Sequence, residues 1–348
     1  MMYFSTVTLL AFACGNVVAT PTPDHSPRSA ALPLPVRTIF QLNNDTVPNS
    51  WFENIALRRN GDLLVTMVQP YASVYSIQQP LSSSPKASVI SIANANGLLG
   101  IVETSPDVFA VVGGNFSALA TPIPQTMAVW EIDLRGPKPT TRLVVKMPEA
   151  GFLNGAATIP YSPSPAILVT DDRTSQVWRV DVKTGKYETA AKVPEMQSVA
   201  NATLPLGVNG LKIRNGYMYF SNSNLASIYR LAIDRNGIAV KGAKAELVAK
   251  YDADNIDDFD IDERGNFWAA TNFDNTVAVA KPGSTGIVVD GESTQLTVAG
   301  DTAVAIGGRT KSDKNIVYIT TGGALARPVN GTVTEAAKIV AINRAGFE

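Results

Sequence analysis

Short apolar runs separated by turn residues recur along the whole chain, and they predict β-strands. Runs such as LLVTMV, AILVTDD and IVYITTG are bounded by Gly, Asn, Asp or Pro, as is typical of strands between tight turns. No window of helical length keeps an apolar stripe. Equivalent strand positions recur about every 46 to 58 residues, close to one four-stranded blade, at Thr66, Val112, Thr170, Ser221, Thr271 and Thr321. The pattern therefore predicts an all-β fold, a six-bladed β-propeller.

A second set of alternating runs predicts a further strand in each repeat, over residues 73–78, 127–134, 175–182, 226–233, 276–282 and 337–344. Its aromatic residues are expected to pack between blades, namely Tyr75, Trp130, Trp178 and Tyr229. The β-rich segment 36–42 precedes the first repeat. We expect it to pair with residues 337–344, because joining the two ends of the chain removes the exposed edge of an open ring.

Each repeat opens on a turn residue, and five of the six openings carry an oxygen-bearing side chain. In register they are Glu53, Leu99, Asn154, Asn209, Asp257 and Asp301. A propeller brings equivalent residues of every blade to one central axis. The sequence therefore predicts a mostly polar axial ring, in which Leu99 is the apolar exception, and places the functional site there.

The amino-terminal residues indicate targeting. Residues 1–19 carry no charge, contain an apolar stretch and end in a small-residue pattern, so they are predicted to be a signal peptide cleaved after Ala19. Residues 20–35 are rich in Pro and Ser and are predicted to be a flexible leader, which leaves residues 36–348 as the propeller domain. Four glycosylation sequons accompany the signal, at Asn44, Asn115, Asn201 and Asn330. A secreted glycoprotein, without a membrane span and acting as a monomer, is expected.

Composition excludes several classes of function. The formal net charge is -1 and no Lys or Arg run stands out, so no nucleic-acid partner is expected. The single cysteine, Cys14, lies in the predicted signal peptide, and the single histidine, His25, lies in the leader. A Ser-His-Asp or Cys-His hydrolase is therefore excluded, because the propeller domain lacks the base that would activate the nucleophile.

Five ordered motifs carry a resemblance to a known group. WFENIALRRNGDLLVT, FLNGAAT, GVNGLKIRNGYMYFSNS, DDFDIDERGNFWAATN and TAVAIGGRTKSDKNIVYITTGGA together resemble the fungal secreted propellers of the senescence-marker/gluconolactonase type. The resemblance implies that a divalent cation, usually calcium, is held by residues matching in type and order, here Glu53, Asn154, Asn209 and Asp257. Their hard oxygen ligands suit Ca²⁺ or Mg²⁺, and zinc is not expected because no thiolate or imidazole ligand is available in the propeller domain.

A narrower resemblance is to the members of this fungal group that act as hetero-Diels–Alderases in tropolonic sesquiterpene biosynthesis. It implies a small-molecule substrate and a reaction between a tropolone quinone methide and a humulene-type alkene. No cofactor is required for such a cycloaddition, since the rate comes from holding the reactants in a near-attack geometry with hydrogen bonds to a polarised carbonyl. The expected catalytic residues are Asp257, Asn209 and Asn154. Expected substrate contacts are Trp51, Phe52, Leu99, Phe152, Phe259, Thr271, Asn272 and Asp301.

Two other functions remain open on the sequence. A calcium-dependent lactone hydrolase would use Asp257 or Asp258 as general base while the metal polarises the lactone carbonyl. A noncatalytic propeller would only bind a small molecule or a partner. The long Pro-containing segment 116–127 either covers the mouth of the pocket or simply connects two strands.

Overall fold

The computed structural model describes residues 1, 2, 30–160, 162, 164–202 and 204–347. Cys14, His25, the predicted cleavage point and most of the predicted signal peptide and leader lie outside the described residues. The described chain is built almost entirely from short strands arranged as six four-stranded sheets. The predicted all-β, six-bladed propeller is thereby confirmed.

The strands follow the predicted repeat closely. In chain order they are β1 (Val36–Gln41); β2 (Trp51–Leu57), β3 (Leu63–Gln69), β4 (Ser73–Gln78) and β5 (Lys86–Ser91) in blade 1; β6 (Gly97–Ser105), β7 (Val108–Gly114), the short hairpin β8 (Phe116–Ala118) and β9 (Thr121–Pro122), β10 (Ala128–Asp133) and β11 (Thr140–Lys146) in blade 2; β12 (Leu153–Thr158), β13 (Ala166–Asp171), β14 (Gln176–Asp181) and β15 (Tyr187–Ala191) in blade 3; β16 (Val208–Arg214), β17 (Tyr217–Asn222), β18 (Ser227–Ala232) and β19 (Glu246–Lys250) in blade 4; β20 (Phe259–Ile261), β21 (Phe267–Ala270), β22 (Thr276–Ala280) and β23 (Ile287–Gly291) in blade 5; and β24 (Asp301–Ile306), β25 (Ile316–Thr321) and β26 (Lys338–Asn343) in blade 6.

Every blade is an antiparallel meander, and its first strand lies nearest the axis. The first strands β2, β6, β12, β16, β20 and β24 contact one another in sequence and return from β24 to β2. Blade 6 takes its fourth strand from the other end of the chain, because β1 pairs with β26, with Val36 opposite Ile342. The predicted ring closure is confirmed.

The core is divided between the blades. Six clusters of buried apolar side chains each draw mainly on two neighbouring blades around the ring. The predicted interblade aromatics belong to them: Trp130 and Trp178 are buried, and Tyr229 stacks on Phe220 with ring centroids 5.6 Å apart. Burial of these sheet faces is the dominant favourable contribution to stability, since a sequence with a single cysteine can form no intramolecular disulfide.

A β-bulge interrupts the first strand pair of each blade close to the axial position. The register shifts between Phe52 and Ile55 in blade 1 and between Leu153 and Ala156 in blade 3, and corresponding shifts occur in blades 2, 4 and 6. In blade 5, Asp257 and Asp258 both bond to Ala270, so two residues oppose one. A bulge re-aims side chains, and here it lies at the ring position of each blade.

Helical structure in the described residues amounts to two 3₁₀ turns, Pro194–Met196 and Asn272–Asp274. The second turn lies at the axial end of blade 5 and presents Asn272 and Phe273 to the site described below. Within the described part of the chain, no helix has the length and apolar character needed to cross a membrane.

Candidate active site

A cavity of about 220 Å³ opens at the end of the axis where the first strands begin. It gathers five of the six predicted ring residues, Glu53, Leu99, Asn154, Asn209 and Asp257, together with Trp51, Phe152 and Asn272. We call this space the axial cavity. Eight of the residues singled out in the sequence therefore converge on one place.

Strand periodicity explains which aromatic residues reach the axial cavity. Trp51 and Phe152 stand two positions before Glu53 and Asn154, and side chains two apart on a strand share a face. Phe52 is adjacent to Glu53 and takes the opposite face, where its ring lies 5.2 Å from that of Tyr75.

Four predicted substrate contacts do not line the axial cavity. Phe52 packs in the core between blades 1 and 6, and Phe259, beyond the blade 5 bulge, packs on Phe267. Thr271 donates its hydroxyl to the carbonyl of Thr276 at 2.7 Å. Asp301 is fully buried and accepts the backbone N–H of Thr271 at 2.9 Å. These four residues lie close to the axis, but their side chains pack or form hydrogen bonds within the blades.

Asp257 is the centre of a hydrogen-bond network on the cavity wall. Its Oδ1 accepts a hydrogen bond from Nδ2 of Asn209 at 2.9 Å, and its Oδ2 accepts one from Nδ2 of Asn272, also at 2.9 Å. Glu53 accepts a hydrogen bond from the indole N–H of Trp51. The two amides and the indole fix the orientation of both carboxyl groups.

Both carboxyl groups hold protons more tightly than usual. Burial raises the pKa of Glu53 well above its ordinary range, and the nearby carboxylate of Asp257 raises it further. Burial also raises the pKa of Asp257, although the hydrogen bonds from Asn272 and Asn209 oppose that rise. Desolvation disfavours the charged form of a carboxyl group, and a like charge nearby has the same effect.

Two amide side chains of the axial cavity have no protein partner among the described residues. Asn154 and Asn255 line the cavity, are 4% and 3% exposed, and make no side-chain hydrogen bond to another described residue. The Oδ1 atoms of Asn255 and Asn209 are buried without a partner. Buried polar groups are normally paired, so these atoms are available to a bound molecule.

Loops supply the cavity residues that the strand pattern does not indicate. Leu119 and Ala120 come from the β8–β9 hairpin. Segment 116–127 therefore does more than connect two strands, because it also borders the pocket. Leu204 and Leu206 come from the loop before blade 4, where Asn224 accepts the N–H of Leu206 at 3.0 Å. The remaining additions are Val68, Asn255, Phe273 and Ala326. The sequence gives one indication of these residues: they lie at the same end of the ring as the residues that open the repeats.

Asp258 lies beyond the axial cavity and helps to close the axis. Its Oδ2 accepts Nδ2 of Asn54 at 2.8 Å and its Oδ1 accepts Nζ of Lys212 at 2.9 Å. Asn54 and Lys212 line a separate cavity of about 590 Å³ near the opposite end of the ring. We call Asn54, Asp258 and Lys212 the axial plug, which joins blades 1, 4 and 5 across the centre.

The four proposed metal ligands lie on the wall of the same cavity. Glu53, Asn154, Asn209 and Asp257 offer two carboxylates and two amide oxygens, and the unpartnered Oδ1 of Asn209 is a free ligand atom. Among the described residues no group of three or more His, Cys, Asp or Glu side chains gathers in a metal-binding arrangement. Two carboxyl groups and two amide oxygens are a donor set that suits a hard cation such as calcium.

Comparison with known proteins identifies the relatives of this chain. No protein-family model matches it. A protein of a Phoma species named "Putative hetero-Diels-Alderase" is 32% identical over 94% of this chain and 96% of its own length. The Sarocladium schorii protein "Putative hetero-Diels-Alderase asR5" is 30% identical over 88% of this chain and 83% of its own length.

Solved structures agree on the architecture. A gluconolactonase from Xanthomonas campestris superposes with a TM-score of 0.56 at 12% identity, covering 88% of this chain and 89% of that one. At that identity the likeness shows the propeller fold alone. Sequence identity over nearly the whole length, on a gluconolactonase-like propeller, shows that the chain belongs to the family of the hetero-Diels–Alderases, enzymes with pericyclase activity.

Proposed function

We propose that this enzyme joins a tropolone quinone methide to a humulene-type sesquiterpene by a hetero-Diels–Alder reaction in the axial cavity. The observation that carries the proposal is the pairing of unpartnered amides with apolar walls. Asn154 and Asn255 share the cavity with Trp51, Leu99 and Phe152. A polar, oxygen-rich heterodiene and a hydrocarbon alkene need both kinds of surface.

The cycloaddition itself requires neither a nucleophile nor a base. The O=C–C=C unit of the quinone methide and the C=C bond of the alkene are converted into a six-membered dihydropyran ring, with one new C–C bond and one new C–O bond. Two π bonds are consumed, and no proton or leaving group is released. The absence of histidine and cysteine from residues 36–348 is therefore no obstacle to this chemistry.

The residues of the axial cavity supply orientation and polarisation. An amide N–H of Asn154 or Asn255 would donate to the carbonyl oxygen of the quinone methide, which makes the heterodiene a better electron acceptor. Trp51, Leu99 and Phe152 exclude water and restrict the orientation of the reactants. Holding two reactants in a near-attack geometry removes the entropic cost of their encounter.

A Ca²⁺ ion is a compatible addition to this site. Glu53, Asn154, Asn209 and Asp257 would hold it, and it would supply a Lewis acid near the substrate oxygens. Asn255 and the apolar walls would keep their roles in binding and orientation. The same set of donors favours lactone hydrolysis as a second candidate function.

The rate of product formation tests the proposal. Purified protein is incubated with a tropolone quinone-methide precursor and humulenol, with a buffer control and with Asn255→Ala as the matched variant. We expect faster product formation than in buffer, and a reduction of about tenfold in the variant, since one hydrogen bond contributes about 1 to 1.5 kcal/mol. A rate equal to that in buffer contradicts the proposal, and hydrolysis of an aldonolactone by the same sample would favour the second candidate.

We also propose that the protein is a secreted, glycosylated monomer. Three of the four sequon asparagines are exposed, Asn44, Asn201 and Asn330, whereas Asn115 is half-buried at the base of the β8–β9 hairpin. An exposed asparagine leaves room for a glycan to extend into water. Treating the fungal product with an endoglycosidase tests this: a mass loss of one or more glycans is expected, and an unchanged mass contradicts it.

A further inference from the structure

The axial cavity is small for a site that must enclose two whole reactants. Its volume is about 220 Å³, whereas pockets for a single drug-sized ligand run to about 300–1,000 Å³. The proposed reaction joins two molecules, and their reacting atoms must approach within about 3–3.5 Å. A second compartment next to the axial cavity would hold the part of the second reactant that lies away from the reacting atoms.

Such a compartment lies beside the β8–β9 hairpin. A groove of about 560 Å³ is lined by, among others, Val68, Pro70, Phe116, Ala118, Leu119 and Leu325. We call it the hairpin groove. Val68 and Leu119 line both the hairpin groove and the axial cavity, so the two spaces adjoin at these two side chains.

Aromatic packing extends the region where the two spaces adjoin. Phe116 lines the hairpin groove and Phe152 lines the axial cavity, and their rings meet edge to face with centroids 5.8 Å apart. The hairpin is held in place by Asn96, whose Nδ2 donates to the carbonyl of Phe116 and whose Oδ1 accepts the N–H of Phe116, both at 2.8 Å. The region where the two spaces adjoin is thus apolar, and the hairpin beside it is anchored.

The polar side chains of the hairpin groove are largely used within the protein. Asn96 bonds to Phe116 as described, and Nε2 of Gln69 donates to the carbonyl of Asn49 at 2.9 Å. The groove offers a ligand the apolar side chains of Val68, Pro70, Leu119 and Leu325 and the ring of Phe116, with Asn49 and Ser117 also on its lining. Burying apolar surface here contributes about 25 cal/mol per Å², which favours a largely hydrocarbon ligand.

We infer that the hairpin groove is the binding site of the second reactant, the apolar alkene, while the axial cavity binds the oxygen-rich heterodiene. The reacting double bond lies at Leu119 and Val68, where the two spaces meet. The remainder of the hydrocarbon rests along Phe116 and Leu325. This inference rests on the proposed function and adds to it a separate site for each reactant.

Filling the hairpin groove tests the inference. Ala118→Trp and Ser117→Trp each introduce a large ring at a residue that lines the hairpin groove and does not line the axial cavity. Ile123→Trp is the matched control, because Ile123 is exposed on the segment that follows the same hairpin but lines neither space. Binding of the alkene alone is measured by saturation-transfer NMR and calorimetry, and KM is measured for each reactant with the other saturating.

We expect either groove variant to weaken alkene binding and raise the alkene KM by at least about tenfold, equivalent to about 1.4 kcal/mol. The KM of the quinone-methide precursor should stay within about twofold of the control. The inference is overturned if the alkene binds both groove variants as it binds Ile123→Trp, or if both KM values rise together. Failure of the wild type to accelerate the reaction would instead contradict the proposed function. Comparing binding of the alkene alone to the wild type and to the groove variants would still show whether the alkene binds in the groove.

Discussion

The axial plug provides a sharp test of how the centre of the ring is held together. Lys212→Met removes the ammonium that lies 2.9 Å from Asp258, whose side chain is 5% exposed. The carboxylate then keeps its bonds from Asn54 and from the N–H of Phe259, but it loses its only charged hydrogen-bond partner among the described residues. A buried charge left without its partner is strongly destabilising.

The size of the effect follows from the exposure of the pair. Breaking a buried ion pair costs about 3–5 kcal/mol, and because the Lys212 side chain is 26% exposed, water can replace part of its interaction, so we expect about 2–3 kcal/mol. With an unfolding entropy of roughly 2.1 cal/mol/K per residue over the propeller domain, that cost corresponds to a fall in Tm of about 3–5 °C. Asp258→Asn removes the charge instead, so in the double variant position 258 carries no unpaired charge.

Calorimetry and urea denaturation of the wild type, both single variants and the double variant give the coupling energy of the pair. We expect the double variant to be more stable than the sum of the single effects predicts, by at least about 1 kcal/mol. Lys86→Met is the control, because Lys86 is exposed on the outer strand β5. Equal Tm values for Lys212→Met and Lys86→Met, or strictly additive effects in the cycle, would refute the reasoning.

Three further predictions concern single positions. Burial raises the pKa of Asp172 to about 8, far above the unfolded value of about 3.9. The folded state therefore binds more protons than the unfolded state, and stability falls as pH rises from about 4 to 8. Asp172→Asn should raise Tm at pH 8 but not at pH 4. If the Tm values of the wild type and the variant changed in parallel with pH, this reasoning would be wrong. Gly155→Ala would place a Cβ 2.6 Å from the carbonyl oxygen of Asn209, and it should lower the free energy of unfolding in urea by about 1–3 kcal/mol. The control Gly136→Ala, whose Cβ would meet nothing closer than 3.5 Å, should lower it much less. Similar losses for the two variants would contradict close packing at the axis. Asn255→Ala should slow the reaction without lowering Tm, because its side chain has no partner among the described residues, and a lower Tm would show that the amide serves the fold.

The sequence predicts the architecture well because it repeats. The period of the strands indicates the number of blades, and the run at residues 36–42 indicates the strand that closes the ring, which β1 confirms by pairing with β26. Both rest on alternation along strands, which is a local property of the chain.

The site is only partly predictable, for two physical reasons. Alternation along the strand accounts for Trp51 and Phe152 facing the cavity and Phe52 facing the blades, but the bulge at Asp257 and Asp258 shifts it by one residue, so the pattern alone does not show that Phe259 faces the blades. Loop residues such as Asn255 carry no periodic signal, because their position depends on contacts made elsewhere in the ring.

The stereochemistry of the product tests the central claim most directly. The uncatalysed cycloaddition in buffer has no chiral environment to bias the approach of an achiral alkene to the quinone methide, whereas the axial cavity is chiral and walled by Trp51, Leu99 and Phe152. Chiral chromatography of the adduct formed with achiral humulene should therefore show one enantiomer in large excess with the wild type. Racemic product, formed at the buffer rate in the presence of folded protein, would contradict the account.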